Sequence, residues 1–415
     1  MWLSWLDLED WRNHPSLTWG PDAGVNVLVG PNGAGKTSIL EAIAYLSSPR
    51  SFRGSPDDGL VAAGAERAVV RGGFEKPAGE SRVEVEVPRQ GRRRILVNGK
   101  RPARLSAVAH QFPVVAFLPD DLELVKGSAS GRRLFLDDLG SRLSPGYGAT
   151  LSEYESVLRQ RNALLRQDGP AFDPVSLEVW DERLVAMATM VWAERVELVG
   201  AIAPVLADAH RTVSGGATRL GVGLDPAWGE PRAVVDAASF DPDAAGARLT
   251  DELVARRRRE MEQRTTTVGP HRDEVQLDLD GRPARTQASQ GEQRSVAVGL
   301  RIASYRLLAD RHGQPPILLL DDIFSELDDA RTAAVAELLP RGQVLVTTTR
   351  HDEVPGTAKR WEVSGGTIVS PPPRGEEWLQ HGPKANKADE EGEGDATGGR
   401  REGNATGSGQ TGRVR

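Results

Sequence analysis

The run GPNGAGKT, residues 30–37, limits what this chain can fold into more than any other stretch. GVNVLVG, a mostly apolar run ending in glycine, leads into it. TSILEAIAYL follows, with Ile39, Leu40, Ile43 and Ala44 recurring at three- and four-residue intervals, so one helix face packs on a sheet. Strand, glycine turn and helix in that order predict a phosphate loop. Across Gly30, Pro31, Asn32, Gly33, Ala34 and Gly35 the backbone curls so that N–H groups face a phosphate chain. Lys36 adds a point charge between the terminal phosphates, and Thr37, followed by Ser38, offers a hydroxyl to Mg²⁺. ATP and Mg²⁺ are therefore the expected cofactors. Such a loop needs a carboxylate at the end of a neighbouring strand, and ILLLDD supplies Asp321 to the metal. Asp322 comes next, at the catalytic position where a carboxylate polarises the attacking water. Aspartate is shorter than glutamate, so a mere loop cap is the other reading.

Composition narrows the class. No cysteine is present, which excludes disulfides and thiolate metal sites, and seven scattered histidines lack metal-ligand spacing. Any metal is then held by oxygen. No run of about 18 apolar residues occurs, and MWLSWLDLEDWRNH is acidic where a signal peptide needs a basic flank, so a cytoplasmic protein is expected. The net charge of -7 gives no global reason to expect nucleic acid. Local clusters do: Arg92, Arg93, Arg94, Lys100 and Arg101 in RQGRRRILVNGKRPAR, and Arg256, Arg257, Arg258 and Arg259 in one run. DNA contact and a solvated face are both open for each cluster.

Along the chain, WLSWLDLEDW, AVVRGGF, RVEVEV and RILVNG alternate as strands and predict an antiparallel elaboration of a nucleotide-binding core. From 130 to 264 the texture is helical, with a Pro- and Gly-rich break near 168–174. Strand character returns in DEVQLDLDG, PPILLLDD and GQVLVTTT, the last two reading as buried parallel strands. The organisation expected is an N-terminal part of the ATPase lobe at 1–129, a helical insertion at 130–264, the rest of the ATPase lobe at 265–371, and a disordered tail at 372–415. The fold class is α/β, a mixed sheet around a phosphate-loop core.

QASQGEQRSVAVGLRIA, from 287, begins a second helix suited to an anion. Ser289 and Glu292 have capping-box spacing before Val296, Leu300, Ala303 and Leu307. That accounts for those two residues and leaves Gly291, a poor helix former in a first turn, unexplained. Ser289, Gln290, Gly291 and Glu292 resemble the signature of ABC-type ATPases, and SELDD at 325–329 resembles their loop after the metal-binding strand. The resemblance implies that two heads pair head to tail. The signature of each then closes in trans over the ATP held by the other.

SFRGSPDDGLV, VNGKRPARL, FLPDDLELVKGSASGRRLFLDD, YESVLRQRNALL, TTTVGPHRDE and LLLDDIFSELDD narrow this to a resemblance to the RecF family of bacterial recombinational repair proteins. It covers nearly all of 1–370. It implies an ATP-dependent homodimer that binds single-stranded or gapped DNA and works with RecO and RecR in loading RecA. It also implies slow, DNA-stimulated hydrolysis and links to replication and the SOS response. By similarity Arg12 and Asn13 are nucleotide neighbours, while Trp11 reads as core. The sequence departs from related heads at AFLPDD, where a metal-contacting glutamine is usual, and at Thr347–Thr349, where transporters carry a switch histidine. His351 stands two residues beyond. His271, Arg272 and Asp273 read as structural or interfacial, with Arg272 pairing a carboxylate. A transporter ATPase subunit is the rival from another class, but its two motifs lie about 100 residues apart, under half the separation here. An SMC- or Rad50-like head needs long heptad runs, which are missing.

Overall fold

Three central strands read as mainly apolar runs because both faces of their sheet are covered. Val27, Val29, Leu318, Leu320 and Val346 face one core, while Leu28, Ile317, Leu319 and Leu345 face a second. In the computed structural model, residues 1–167, 174–216, 218–227, 240–323, 332–333, 342–350 and 358–369 are described. The tail from 372, the break at 168–173, SELDD and His351 lie outside the described residues.

The strands are β1 (Trp2–Trp11), β2 (His14–Trp19), β3 (Val25–Val29), β4 (Arg67–Lys76), β5 (Gly79–Pro88), β6 (Arg94–Val97), β7 (Val114–Phe117), β8 (Leu220–Asp225), β9 (Glu274–Leu279), β10 (Arg282–Pro283), β11 (Ile317–Asp321), β12 (Val344–Thr348), β13 (Lys359–Ser364) and β14 (Thr367–Val369). Helices are α1 (Lys36–Ser47), α2 (Leu105–Gln111), α3 (Glu123–Lys126), α4 (Ala129–Leu143), α5 (Pro145–Leu165), α6 (Pro174–Val213), α7 (Pro242–Gln263), α8 (Ala284–Gln287) and α9 (Gln290–His312).

The central sheet runs β14-β13-β3-β12-β11-β7, parallel except for the β13–β14 hairpin. The register sets Asp321 beside Thr347 and Thr348 beside Val29, so β3, β11 and β12 end on one edge. A second sheet, β2-β1-β4-β5-β6, is antiparallel throughout. Helix α1 lies between the two sheets, burying Ile39, Leu40, Ile43 and Leu46 in the core they share. The other face of the central sheet meets α9 and the helices α4 to α6.

One element differs from expectation. Leu220–Asp225 forms a strand inside the stretch predicted to be helical, and it pairs with β9, from beyond that stretch. Its glycines, Gly221 and Gly223, lower helix propensity, and β9 supplies an open edge. The helices themselves are joined by buried ion pairs. Arg161 of α5 meets Asp181 of α6 at 2.6 Å and Glu260 of α7 at 2.8 Å.

Candidate nucleotide site

The phosphate loop leaves the C-terminal end of β3 and turns into α1 through Gly35, whose φ of 106° lies in the left-handed region that glycine tolerates. Gly30 is required for another reason: a Cβ there would fall 2.3 Å from the Val363 carbonyl oxygen of β13. The Lys36 ammonium donates to the carbonyls of Gly30 at 2.7 Å and Pro31 at 3.0 Å, reaching back across the loop. Burial draws its pKa down, and Asp322 and Asp321 oppose that shift, so both carboxylates lie within electrostatic reach of the ammonium.

The Thr37 hydroxyl donates to Asp321 Oδ1 at 2.9 Å, bringing together two groups that are 284 positions apart. Thr347 donates to the same oxygen at 2.7 Å and orients it. The Asp322 N–H in turn donates to Thr347 Oγ1 at 3.0 Å. Asp322 has a φ of 49°, strained for a residue with a side chain and therefore held there by its surroundings. A hydroxyl beside one oriented carboxylate suits Mg²⁺, which keeps waters and takes phosphate oxygens as ligands. Among the described residues no group of three or more His, Asp or Glu forms a metal cage.

These groups line a cleft of about 470 Å³, together with Asn32, Gly33, Gly35, Ser38, Arg12, Asn13 and Arg53. Arg12 is fixed by Glu41 of α1 through two hydrogen bonds, at 2.9 and 2.8 Å, and Glu41 is itself buried. Sequence reasoning missed Arg53 and Glu41. Glu41 falls off the face that Ile39, Leu40, Ile43 and Ala44 define, so pattern alone reads it as solvated, yet it is buried. Trp11 is fully buried and donates to the Ser38 carbonyl at 2.9 Å.

The second anion-suited start is well formed. Ser289 caps α9, the Glu292 N–H donates to its hydroxyl at 3.3 Å, and the Ser289 N–H donates to Glu292 Oε2 at 2.7 Å. The Ser289 N–H and hydroxyl, both donating to Glu292 Oε2, hold that carboxyl below its usual pKa. Ser289 and Gln290 are exposed, and none of Ser289 to Glu292 lines the cleft around Lys36. At the AFLPDD position, Asp121 is taken up by Arg301 at 2.6 Å, so it serves packing there.

The basic clusters differ. Arg92, Arg94, Lys100 and Arg101 are exposed, while Arg93 donates to the Pro49 carbonyl and reaches Asp57 at 3.4 Å. In α7, Arg256 pairs with Glu252 at 2.7 Å, Arg257 with Asp181 at 3.1 Å and Arg258 with Glu262 at 3.1 Å. Arg259 is exposed. Arg272 donates to the Thr266 carbonyl at 3.2 Å, where a carboxylate partner was expected. The buried Asp273 is instead held by Arg195 at 3.2 Å and Trp192 at 2.8 Å. The cause is orientation, since Arg272 is exposed and Asp273 points into the helical packing.

The profile of the RecF/RecN/SMC N-terminal domain matches residues 2–365. A DNA replication and repair protein RecF from Frankia alni is 41% identical over 381 residues, covering 89% of this chain and 99% of the relative. The protein of that name from Renibacterium salmoninarum is 38% identical over 399 residues, covering 89% and 100%. A solved structure of the recombination mediator protein RecF with ATP superposes with a TM-score of 0.82 at 27% identity, over 89% of this chain and 98% of that one. No helix among the described residues is long and apolar enough to cross a membrane. Phosphate loop, SMC-like ABC-ATPase head and near-complete coverage of these relatives agree: the chain belongs to the RecF family.

Proposed function

We propose that the protein is an ATP-dependent DNA-binding protein of recombinational repair and replication, acting in the cytoplasm as a dimer that ATP assembles. The observation that carries this is the separation of two anion-suited sites. One cleft has a phosphate loop and a hydroxyl-carboxylate pair fit for Mg²⁺. A capped, exposed helix start contributes nothing to that cleft. Ser289 to Glu292 therefore serve the ATP of a second copy, and nucleotide binding becomes a subunit clamp.

Within the clamp, Gly30 to Ser38 hold ATP, Lys36 neutralises its terminal phosphates, and Thr37 and Asp321 hold Mg²⁺. Bound Mg²⁺ would offset charge on the phosphates. Asp322 orients and deprotonates the attacking water, and hydrolysis, slow and stimulated by DNA, reopens the dimer.

Single-stranded or gapped DNA lies on the exposed basic hairpin of Arg92, Arg94, Lys100 and Arg101, with Arg93 behind it. The pairing of Arg256 and Arg257 with carboxylates favours the hairpin over α7, where Arg258, paired only with the exposed Glu262, and Arg259 are the exposed members. By family, RecO and RecR are the partners in loading RecA, with links to the SOS response. Gapped-DNA binding followed by fluorescence anisotropy tests this reading: it is expected to require ATP and to vanish in Lys36→Ala. Equal binding with and without ATP would contradict it.

A further inference from the structure

His14 opens β2 and is fully buried. Its Nδ1 lies 2.6 Å from the Gly366 carbonyl oxygen, in the β13–β14 turn, and its Nε2 lies 3.1 Å from the Gly35 carbonyl oxygen, at the start of α1. A carbonyl only accepts, so the ring nitrogen that carries the proton donates to the carbonyl it faces, and the other carbonyl packs against the opposite edge of the ring. The fit is close on both sides. A Cβ on Gly35 would fall 2.5 Å from Nε2, and one on Gly366 would fall 2.5 Å from the Asn13 carbonyl oxygen. Asn13 adds a longer hydrogen bond, 3.4 Å, from its amide to the Gly33 carbonyl.

We propose that His14 is a positioning residue for the phosphate loop, its buried ring wedged between the Gly35 and Gly366 carbonyls, hydrogen-bonded through the nitrogen that carries the proton, and tying the loop to the β13–β14 turn. The inference rests on the loop being the nucleotide site. Its consequence follows from the planar trans peptide between Gly35 and Lys36, in which C=O and N–H point in opposite directions. Holding the Gly35 oxygen against the ring aims the Lys36 N–H away from it, toward the cleft where phosphate oxygens would be met. The hairpin supports the loop at its other end as well, where Gly30 packs against the Val363 carbonyl. His14 thus fixes the donor geometry without touching the nucleotide.

The test uses His14→Phe, which keeps a ring but no donor, and His14→Gln, which keeps a donor. Mg-ATP affinity is measured by equilibrium titration, and unfolding of the nucleotide-free protein is measured beside it. Losing a hydrogen bond that orders the loop should weaken ATP binding roughly tenfold in His14→Phe, with partial recovery in His14→Gln. Both variants should unfold within about 3 °C of the parent. Nitrogen NMR of the ATP-bound parent protein should show a His14 ring N–H that is hydrogen-bonded and protected from exchange with solvent, and it decides the matter if His14→Phe fails to fold. A freely exchanging ring N–H, or parental affinity in His14→Phe, would overturn the proposal. Parental affinity in Lys36→Ala as well would remove the nucleotide reading beneath it.

Discussion

Lys36, Asp321 and Asp322 have different neighbours, so their variants should fail differently. Lys36→Ala removes the one ammonium reaching across the loop and should lower ATP affinity by at least about tenfold, since hydrogen bonds to a charged group are the stronger kind. Asp321→Asn disturbs the oxygen shared by Thr37 and Thr347, so it should weaken Mg²⁺-dependent binding itself. Asp322→Asn should leave binding within about threefold and slow turnover by roughly a hundredfold or more, the usual size of a missing general base. Titration beside a hydrolysis assay checks all three, and identical phenotypes for the two aspartates would undo the division of labour. Much of this was legible in sequence because phosphate-loop chemistry fixes residue types at fixed spacing. The sequence assigned Thr37 and Asp321 to one proposed metal, but their hydrogen bond across 284 positions needs the sheet register. Glu41, Arg53 and the bridging of His14 left no local signal, because each depends on what the fold brings opposite.

At the scale of elements, the cap of α9 and the buried loop after α7 carry the testable content. Ser289→Ala removes the hydroxyl half of a reciprocal capping pair and should cost about 1 kcal/mol of stability, read as a denaturation midpoint. It should also impair ATP-dependent association more than that cost explains, if the helix start faces a partner's phosphates. His271, half-buried between Tyr154 and the Thr266 carbonyl, has its pKa lowered to about 4, chiefly by desolvation. A folded value below the unfolded one, near 6.5, means its contribution is complete above about 6.5 and is lost as pH falls toward 4. Asp273 runs the other way. Burial raises it to about 6, so its contribution is present below about 4 and is lost as pH rises through 6. The parent protein should therefore show a shallow melting-temperature profile between pH 4 and 6.5. His271→Gln should lose the acid-side fall and melt relatively higher at pH 5 than at pH 7.5, and an unchanged profile would contradict the assignment. Periodicity and apolar runs gave β1, β3, β4, β5, β6, β9, β11 and β12. Not read were β2, an edge strand carrying Pro15, β8, whose glycines make sense only against the open edge of β9, and β10, β13 and β14.

For the whole molecule, charge and assembly are linked. On the proposed reading, a chain of net charge -7 would hold DNA only by gathering basic side chains on one surface, and dimer closure would double the patch one copy presents. Replacing Arg92, Arg94, Lys100 and Arg101 with alanine should flatten the slope of log affinity against log salt by roughly one unit for each DNA phosphate that is no longer neutralised. ATP affinity should not change. An unchanged slope would place the DNA surface elsewhere. The central claim is that neither nucleotide site is complete in one copy, and light scattering of the purified protein with ATP, with ADP and with neither, each with and without gapped DNA, tests it most directly. The account predicts the mass of a dimer with ATP, enhanced by DNA, and of a monomer with ADP or without nucleotide. A mass that never responds to ATP would contradict it.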